Sequence, residues 1–166
     1  MSYTRQAFVE KYGGFIANAV KGTGILSGTL IAQAILESQG ETARGYEVGA
    51  SKVSREANNY FGIKCHGWKG KTYNISTGEN KPDGTKFTDK NACFRAYGSV
   101  EDSILDYVKF LKGNQRYTTA GVFKADTVLK QAQALKTAGY ATAPNYPTMV
   151  DGIYKGIKGY ADKFCT

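Results

Sequence analysis

Two hydrophobic periods divide the chain, and their order limits what it can fold into. From Thr4 to Val20, and again beyond Ser99, apolar residues recur at three-and-four spacing, whereas from Lys71 to Arg95 they alternate in twos. The first helix is expected to bury Phe8, Val9, Tyr12, Phe15, Ile16, Ala19 and Val20, despite Gly13 and Gly14, and to end at Gly22 and Gly24. A second should start with Ser27 as N-cap and turn Leu30, Ile31, Ala34, Ile35 and Ser38 inward. A loop with Arg44, Gly45 and Gly49 follows, then a short helical or irregular stretch at Ser54 to Asn58. Lys71 to Thr77 reads as a strand, NKPDG (Asn80 to Gly84) as a turn, and Lys86 to Arg95 as one return strand or two. Ser99, with Asp102 three residues on, opens a helix with Val100, Ile104, Tyr107, Val108 and Leu111 inward, stopped by Gly113. Two more should run from Asp126 to Thr137 and from Tyr146 or Pro147 to Tyr160. The expected class is α+β, mostly helical, with a β-hairpin lobe at about residues 68–96 bordering a cleft against the helical body. At 166 residues, 42% hydrophobic and 22% charged, the chain suits one folded domain over 1–166.

Within the second helix one residue breaks the pattern. Glu37 lies seven residues after Leu30 and three after Ala34, so it shares their inward side in the stretch AILESQGE (Ala34 to Glu41). Desolvation there would raise its carboxyl pKa toward the range of a general acid. A boundary glutamate, whose stem packs while its carboxylate reaches water, is the alternative at this point.

The remaining composition excludes several chemistries. His66 is the single histidine, and the three cysteines lack paired zinc-ligand spacing, so no metal site is expected. Cys65 and His66 are sequence neighbours whose side chains diverge, which disfavours a cysteine nucleophile. No glycine-rich phosphate loop precedes a helix, and no cofactor is implied. The formal net charge of +8 is scattered over loops and helix faces, which gives no support to nucleic acid and suits an anionic bacterial wall equally well. No segment is long and apolar enough to span a bilayer, and the N-terminus lacks the features of a secretory signal. Cys65 and Cys93 flank the alternating stretch; a bridge between them would close a loop worth about 3–4 kcal/mol and imply an oxidising compartment, leaving Cys165 over. Three reduced, packed thiols are the alternative.

Carboxylate chemistry remains. Glycoside hydrolysis requires a proton for the leaving oxygen and, in most families, a second carboxylate across the cleft. Glu79, just before NKPDG, is the candidate for the second role, with Asp83 and Asp89 as competitors, while Glu41 lies only four residues from Glu37 and would not oppose it. Sugar rings rest on aromatic faces, and Tyr60, Phe61, Trp68, Tyr97 and Tyr117 lie near the expected cleft elements. Phe61 reads as core; Trp68, between Gly67 and Lys69-Gly70, reads as an exposed platform.

Taken in order, LIAQAILESQGE (Leu30 to Glu41), ANNYFGIKC (Ala57 to Cys65), WKGK (Trp68 to Lys71), CFRAYGSVEDSILDYVKFL (Cys93 to Leu111), NQRY (Asn114 to Tyr117) and AGYATAPNYP (Ala138 to Pro147) cover most of residues 8–160. This combination resembles glycoside hydrolase family 73, β-N-acetylglucosaminidases that cut peptidoglycan and share a lysozyme-like fold. The resemblance implies Glu37 as catalytic acid, Glu79 as the β-lobe carboxylate and Tyr97 as a catalytic tyrosine. It implies Asn59, Tyr60 and Phe61 as the floor of the sugar site, with Trp68, Tyr117 and Tyr140 also binding substrate. After Glu37 the family commonly has serine, glycine, tryptophan and glycine, whereas this chain reads Ser38, Gln39, Gly40, so apolar shielding of the acid must come from elsewhere, such as Tyr97. The turn after Glu79 is also longer than in many relatives.

The activity so implied is hydrolysis of the β-1,4 bond between N-acetylglucosamine and N-acetylmuramic acid, outside the cytoplasm, by a monomer whose partner is the glycan strand. A lytic transglycosylase of the same superfamily and a non-catalytic wall-binding module are the alternatives. Phage lysis and delivery as an antibacterial toxin by a secretion machine are two biological settings that suit such a compact wall hydrolase. A delivered toxin would need an immunity protein that plugs the cleft.

Overall fold

The computed structural model describes residues 1–165. Helix α1 (Arg5–Val20) is capped by Thr4, whose hydroxyl accepts the Ala7 N–H at 3.1 Å, and it buries Phe8, Val9, Tyr12, Ile16 and Val20 as its spacing predicts, whereas Phe15 and Ala19 at the edge of that side are half-buried. Its mid-helix glycine has a packing reason. A Cβ on Gly13 would fall 2.5 Å from the Phe164 ring, so the missing side chain lets the C-terminal segment lie against the helix.

Helix α2 (Ser27–Ser38) runs through the centre and is buried on all sides from Ser27 to Ile35. The expected cap is displaced by one residue. Leu26 holds the N-cap position without a side-chain bond, and its own N–H donates to Gln131 Oε1 at 2.9 Å, so a distant glutamine anchors the residue at which the helix starts. The Gln131 amide also donates to Gly24 O and Val122 O, which ties three segments at that end of the helix.

The glycine-bearing loop is a small antiparallel ribbon, β1 (Gly40–Thr42) with β2 (Gly45–Glu47), in the register Gly40↔Glu47. Helix α3 (Lys52–Ala57) follows, capped by Ser51. Strands β3 (Thr72–Asn80) and β4 (Lys86–Arg95) form one hairpin from Thr72↔Arg95 to Asn80↔Lys86, with an irregularity between Ile75 and Thr77, so the return is a single strand. Its turn is held by Asp83, which accepts the Thr85 N–H and hydroxyl. The Cys65–Cys93 disulfide is formed and ties the hairpin to the chain before it.

Helix α4 (Val100–Gly113) is capped by Ser99 as expected, although Val108 is only half-buried and Phe110 takes its place in the core. A short helix not anticipated from the sequence, α5 (Gln115–Thr119), follows at once. Helix α6 (Val128–Thr137) begins two residues later than expected because Thr127, not Asp126, supplies the cap. Helix α7 (Tyr146–Ala161) has Pro147 in its first turn. The core joins α1, α2, α4, α6 and α7 through Phe8, Ile16, Leu30, Ile35, Ile104, Leu111, Leu135 and Ile157, all sealed from solvent. Among the described residues no helix is long and apolar enough to cross a membrane.

Candidate active site

Between the helical body and the hairpin lies a cleft of about 670 Å³ whose walls include Glu37, Gly62, Lys64, Glu79, Arg116 and Tyr140. Glu37 enters it from the last turn of α2. That helix end is fixed by Ser38, whose hydroxyl accepts the Gly49 N–H at 3.1 Å and whose carbonyl accepts the Ser51 N–H at 2.9 Å and the Ser54 hydroxyl at 3.2 Å. Opposite the carboxyl, Gly62 sits at φ +65, and a Cβ there would come 3.4 Å from Glu37 Oε2. Both the backbone conformation and the approach favour glycine.

A shell of tyrosines surrounds the acid. Phe61 stacks on Tyr107 at 4.3 Å between ring centres, Tyr107 meets Tyr140 at 5.4 Å, and Tyr140 meets Tyr146 at 6.1 Å. The Tyr140 hydroxyl donates to the Phe61 carbonyl, and the Gln33 amide, four residues before Glu37 on the same helix, donates to the Tyr146 hydroxyl at 2.7 Å. Burial among these groups, with the charge of Glu79 adding to it, pushes the Glu37 carboxyl up to about 7 from its ordinary 4.5. The hydroxyls of Tyr107, Tyr140 and Tyr146 are held well above their usual value by the same burial, so they remain neutral.

Glu79 stands on the hairpin wall. Alternation along β3 puts it on the face shared by Tyr73, Ile75 and Thr77. Lys64 Nζ lies 2.9 Å from its Oε1, and the Thr77 hydroxyl donates to the same oxygen at 2.7 Å. Near it, the Thr142 hydroxyl donates to Asn80 O at 2.6 Å, linking the hairpin to the loop before α7. A general acid on one wall and a fixed carboxylate on another is an arrangement able to protonate a leaving oxygen and face a developing positive charge.

The fold brings Glu37, Glu79, Phe61, Tyr117 and Tyr140 to this cleft and leaves four other expected site residues out of its walls. Phe61 and Tyr117 back the wall from within the core, at 1% and 0% exposure, and only Tyr140 of the three is half-exposed. Asn59 is buried and shapes the turn: its amide donates to Ile63 O and Arg95 O at 2.9 Å each, and its oxygen accepts the Phe61 and Ile63 N–H groups. Tyr60 faces the opposite way, stacked on Phe8 at 5.8 Å and seated against Gly49. Trp68 is not a free platform. Its indole N–H donates to Lys71 O at 2.9 Å, Gly70 packs under the ring and the Arg95 guanidinium lies 4.9 Å from it. It lines a second, shallower cavity of about 440 Å³. Tyr97 donates its hydroxyl to Asp106, which also receives Arg95 Nη1 at 2.9 Å. The shielding of Glu37 expected from Tyr97 is supplied by Tyr107, Tyr140 and Tyr146. Of the groups that the sequence reading missed, Gln33 alone left a signal, a polar residue at i−4 to Glu37 on an otherwise apolar helix.

The glucosaminidase family profile, described as mannosyl-glycoprotein endo-beta-N-acetylglucosaminidase, matches residues 14–159. Peptidoglycan hydrolase FlgJ of Escherichia coli is 35% identical over 150 residues, which is 87% of this chain and 44% of that protein. Exo-glucosaminidase LytG of Bacillus subtilis is 30% identical over 152 residues, 90% of this chain and 50% of that one. The chain thus spans about half the length of these curated relatives. Among solved structures, the C-terminally truncated glycoside hydrolase domain of Salmonella typhimurium FlgJ matches with a TM-score of 0.63 at 32% identity, covering 93% of this chain and 98% of that one. A type VI secretion system effector-immunity complex from Pseudomonas protegens matches with a TM-score of 0.62 at 19% identity, over 95% of this chain and 94% of that one, a likeness of fold alone. The chain belongs to the glucosaminidase family, glycoside hydrolase family 73.

Proposed function

We propose that the protein hydrolyses the β-1,4 bond between N-acetylglucosamine and N-acetylmuramic acid in peptidoglycan, acting within the strand and outside the cytoplasm. The observation that carries this reading is the carboxyl of Glu37, lifted to about 7 in a cleft whose opposite wall bears Glu79. In the proposed reaction Glu37 is protonated when substrate arrives and gives its proton to the glycosidic oxygen. The C1–O bond breaks as positive charge builds on the ring, and the Glu79 carboxylate offsets that charge or activates the incoming water. Both hydrogen-bonded contacts of Glu79 fall on Oε1, so Oε2 is the oxygen assigned to the substrate side. Tyr140 is the aromatic assigned to the sugar; Asn59 and Tyr97 are assigned positioning roles, through the 59–63 turn and through Asp106.

Replacing Glu37 by Gln tests the assignment. Release of reducing ends from purified sacculi should fall by about 10²-fold or more with the fold retained; turnover within a few-fold of wild type would overturn it. The hold of Lys64 and Thr77 on Glu79 favours one second reading, a transglycosylase that needs a single acid. Mass spectrometry separates the two, since hydrolysis leaves a reducing sugar and transglycosylation an anhydro sugar. A cleft-binding immunity protein is the partner proposed if the enzyme is delivered as a toxin; co-purification of a neighbouring gene's product with loss of hydrolysis tests that partner.

A further inference from the structure

The two cavities meet at His66 and Phe110, which line both. Around this junction positive charge is in excess. The carboxylates of the main cleft are Glu37 and Glu79, and Glu79 is paired with Lys64. The second cavity has one acid, Asp106, whose Oδ2 already receives Arg95 and Tyr97. Four lining cations have no carboxylate within ion-pair distance among the described residues, Lys52 and Arg116 on the cleft side and Lys69 and Lys109 on the other, and of the cleft pair it is Arg116 that acts on the His66 imidazole. Arg116 is also held in place. Its Nη2 donates to the Tyr117 hydroxyl at 2.9 Å and its guanidinium lies 4.8 Å from the Tyr117 ring, which leaves most of its donors free in a fixed fork. The imidazole of His66 feels the excess: burial lowers its pKa, and Arg116, Arg95 and Lys64 lower it further.

We infer that Arg116, with Lys69 and Lys109 across the His66 junction, forms a carboxylate-binding extension of the cleft that receives an acidic substituent of the muramyl residue. The inference rests on the peptidoglycan reading above and names the part of the substrate that this end of the site recognises. A strand of N-acetylglucosamine alone is neutral. The muramyl residue differs from it by a lactyl ether, which ends in a carboxylate or continues into a peptide stem bearing carboxylates. An arginine fork held without a carboxylate partner is suited to that group, and a charge-assisted contact of this kind is worth about ten-fold in affinity.

Binding is measured by calorimetry with the Glu37→Gln protein, which removes turnover, against three probes: a peptidoglycan tetrasaccharide with its peptide stems, the same strand after amidase removal of the stems, and N-acetylchitotetraose. At least one carboxylate-bearing probe should bind about ten-fold more tightly than the chito-oligosaccharide. Adding Arg116→Gln should reduce that preference to two-fold or less. Retention of the preference by the stripped strand identifies the lactyl carboxylate, and its loss on stripping identifies the stem. Because Arg116→Gln also removes the donor to the buried Tyr117 hydroxyl, the Lys69→Gln/Lys109→Gln pair at exposed positions provides a second test and should weaken the preference several-fold. Equal binding of all three probes, or a preference that both sets of variants leave intact, overturns the inference while the hydrolase reading stands. Failure of every probe to bind overturns both.

Discussion

Glu37→Gln should make the protein more stable at pH 8 and leave its stability at pH 4 nearly unchanged. In the folded chain the carboxyl titrates at about 7, against an ordinary 4.5 for a carboxyl in water. Below 4.5 it is protonated in both states and contributes no difference. Between 4.5 and 7 the unfolded chain releases the proton while the folded chain keeps it, so the unfolding free energy falls as pH rises through this window. Above 7 the folded protein bears the full cost of a charge among Tyr107, Tyr140 and Tyr146. At about 1.4 kcal/mol per pKa unit that cost is at most about 3 kcal/mol, since water entering the cleft reduces it. Glutamine has nearly the same shape and no charge to bury. The difference in Tm between variant and wild type should therefore grow from near zero at pH 4 to several degrees at pH 8, with a ceiling of roughly 6–12 °C for a domain of this size. Thermal unfolding followed by circular dichroism at unit pH steps measures it, and titration of all other groups cancels in the difference. A gap that stays constant from pH 4 to 8 would refute the buried-acid argument, whatever the effect on activity.

The same carboxyl should respond to its neighbour: Glu79→Gln removes one of the two causes of the shift, so a carbon-detected titration of Glu37 should move to lower pH, and an unmoved midpoint would mean that Glu79 does not act on it. Replacing Cys65 and Cys93 together by serine opens a loop with a sequence separation of 28 residues and should cost about 3–4 kcal/mol in urea unfolding, reproduced in the wild type by reductant; equal stability would show that backbone bonds alone hold the hairpin. Gly62→Ala places a Cβ at φ +65 and 3.4 Å from Glu37 Oε2, so we expect a loss of about 1 kcal/mol with a several-fold drop in kcat, and unchanged turnover would argue against close contact at that atom.

What the sequence made visible was local. The inward faces of α1, α2 and α4 follow from spacing within one helix, and the hairpin from alternation and NKPDG, because those patterns are completed within about twenty residues. Glu37 belongs to this class, since Leu30 and Ala34 fix its side of the helix. Features of less than two periods were not visible: three residues of β1, three of β2 and five of α5 hold too little pattern to read. Features made by distant partners were hidden as well. Nothing around Ser27 announces that Gln131 anchors the helix start, and glycines beside Trp68 suggest exposure when Gly70 in fact gives the ring a surface to lie on. The shell about Glu37 is the clearest instance. Tyr107 reads as the core of α4 and Tyr146 as the start of α7, and each reading is correct by itself; only the packing of α2 against α7, with Tyr140 bridging Tyr107 and Tyr146, gathers them about one carboxyl.

A single short stretch, residues 59–65, relates the two carboxylates to each other. Asn59 folds it into a turn through three hydrogen bonds and ties it to Arg95 O of β4 through a fourth, Gly62 meets the carboxyl of Glu37, Lys64 holds that of Glu79, and Cys65 is covalently joined to Cys93 of β4. Further bonds from Cys65 N to Cys93 O and from Arg95 N to Ile63 O fasten the same stretch to β4 over its length. A hairpin tethered only at its ends would carry Glu79 with every bend. Here Lys64 contacts Glu79 from a segment anchored both to the helical body, through the core residues Phe61 and Ile63, and to the hairpin, through the disulfide. The absence of the usual tryptophan after Glu37 fits this division of labour. Tyrosines from the helical body supply the desolvation that lifts the acid, the 59–65 stretch sets the partner opposite it, and neither task falls to Gly40, the third residue after Glu37, where the tryptophan would stand.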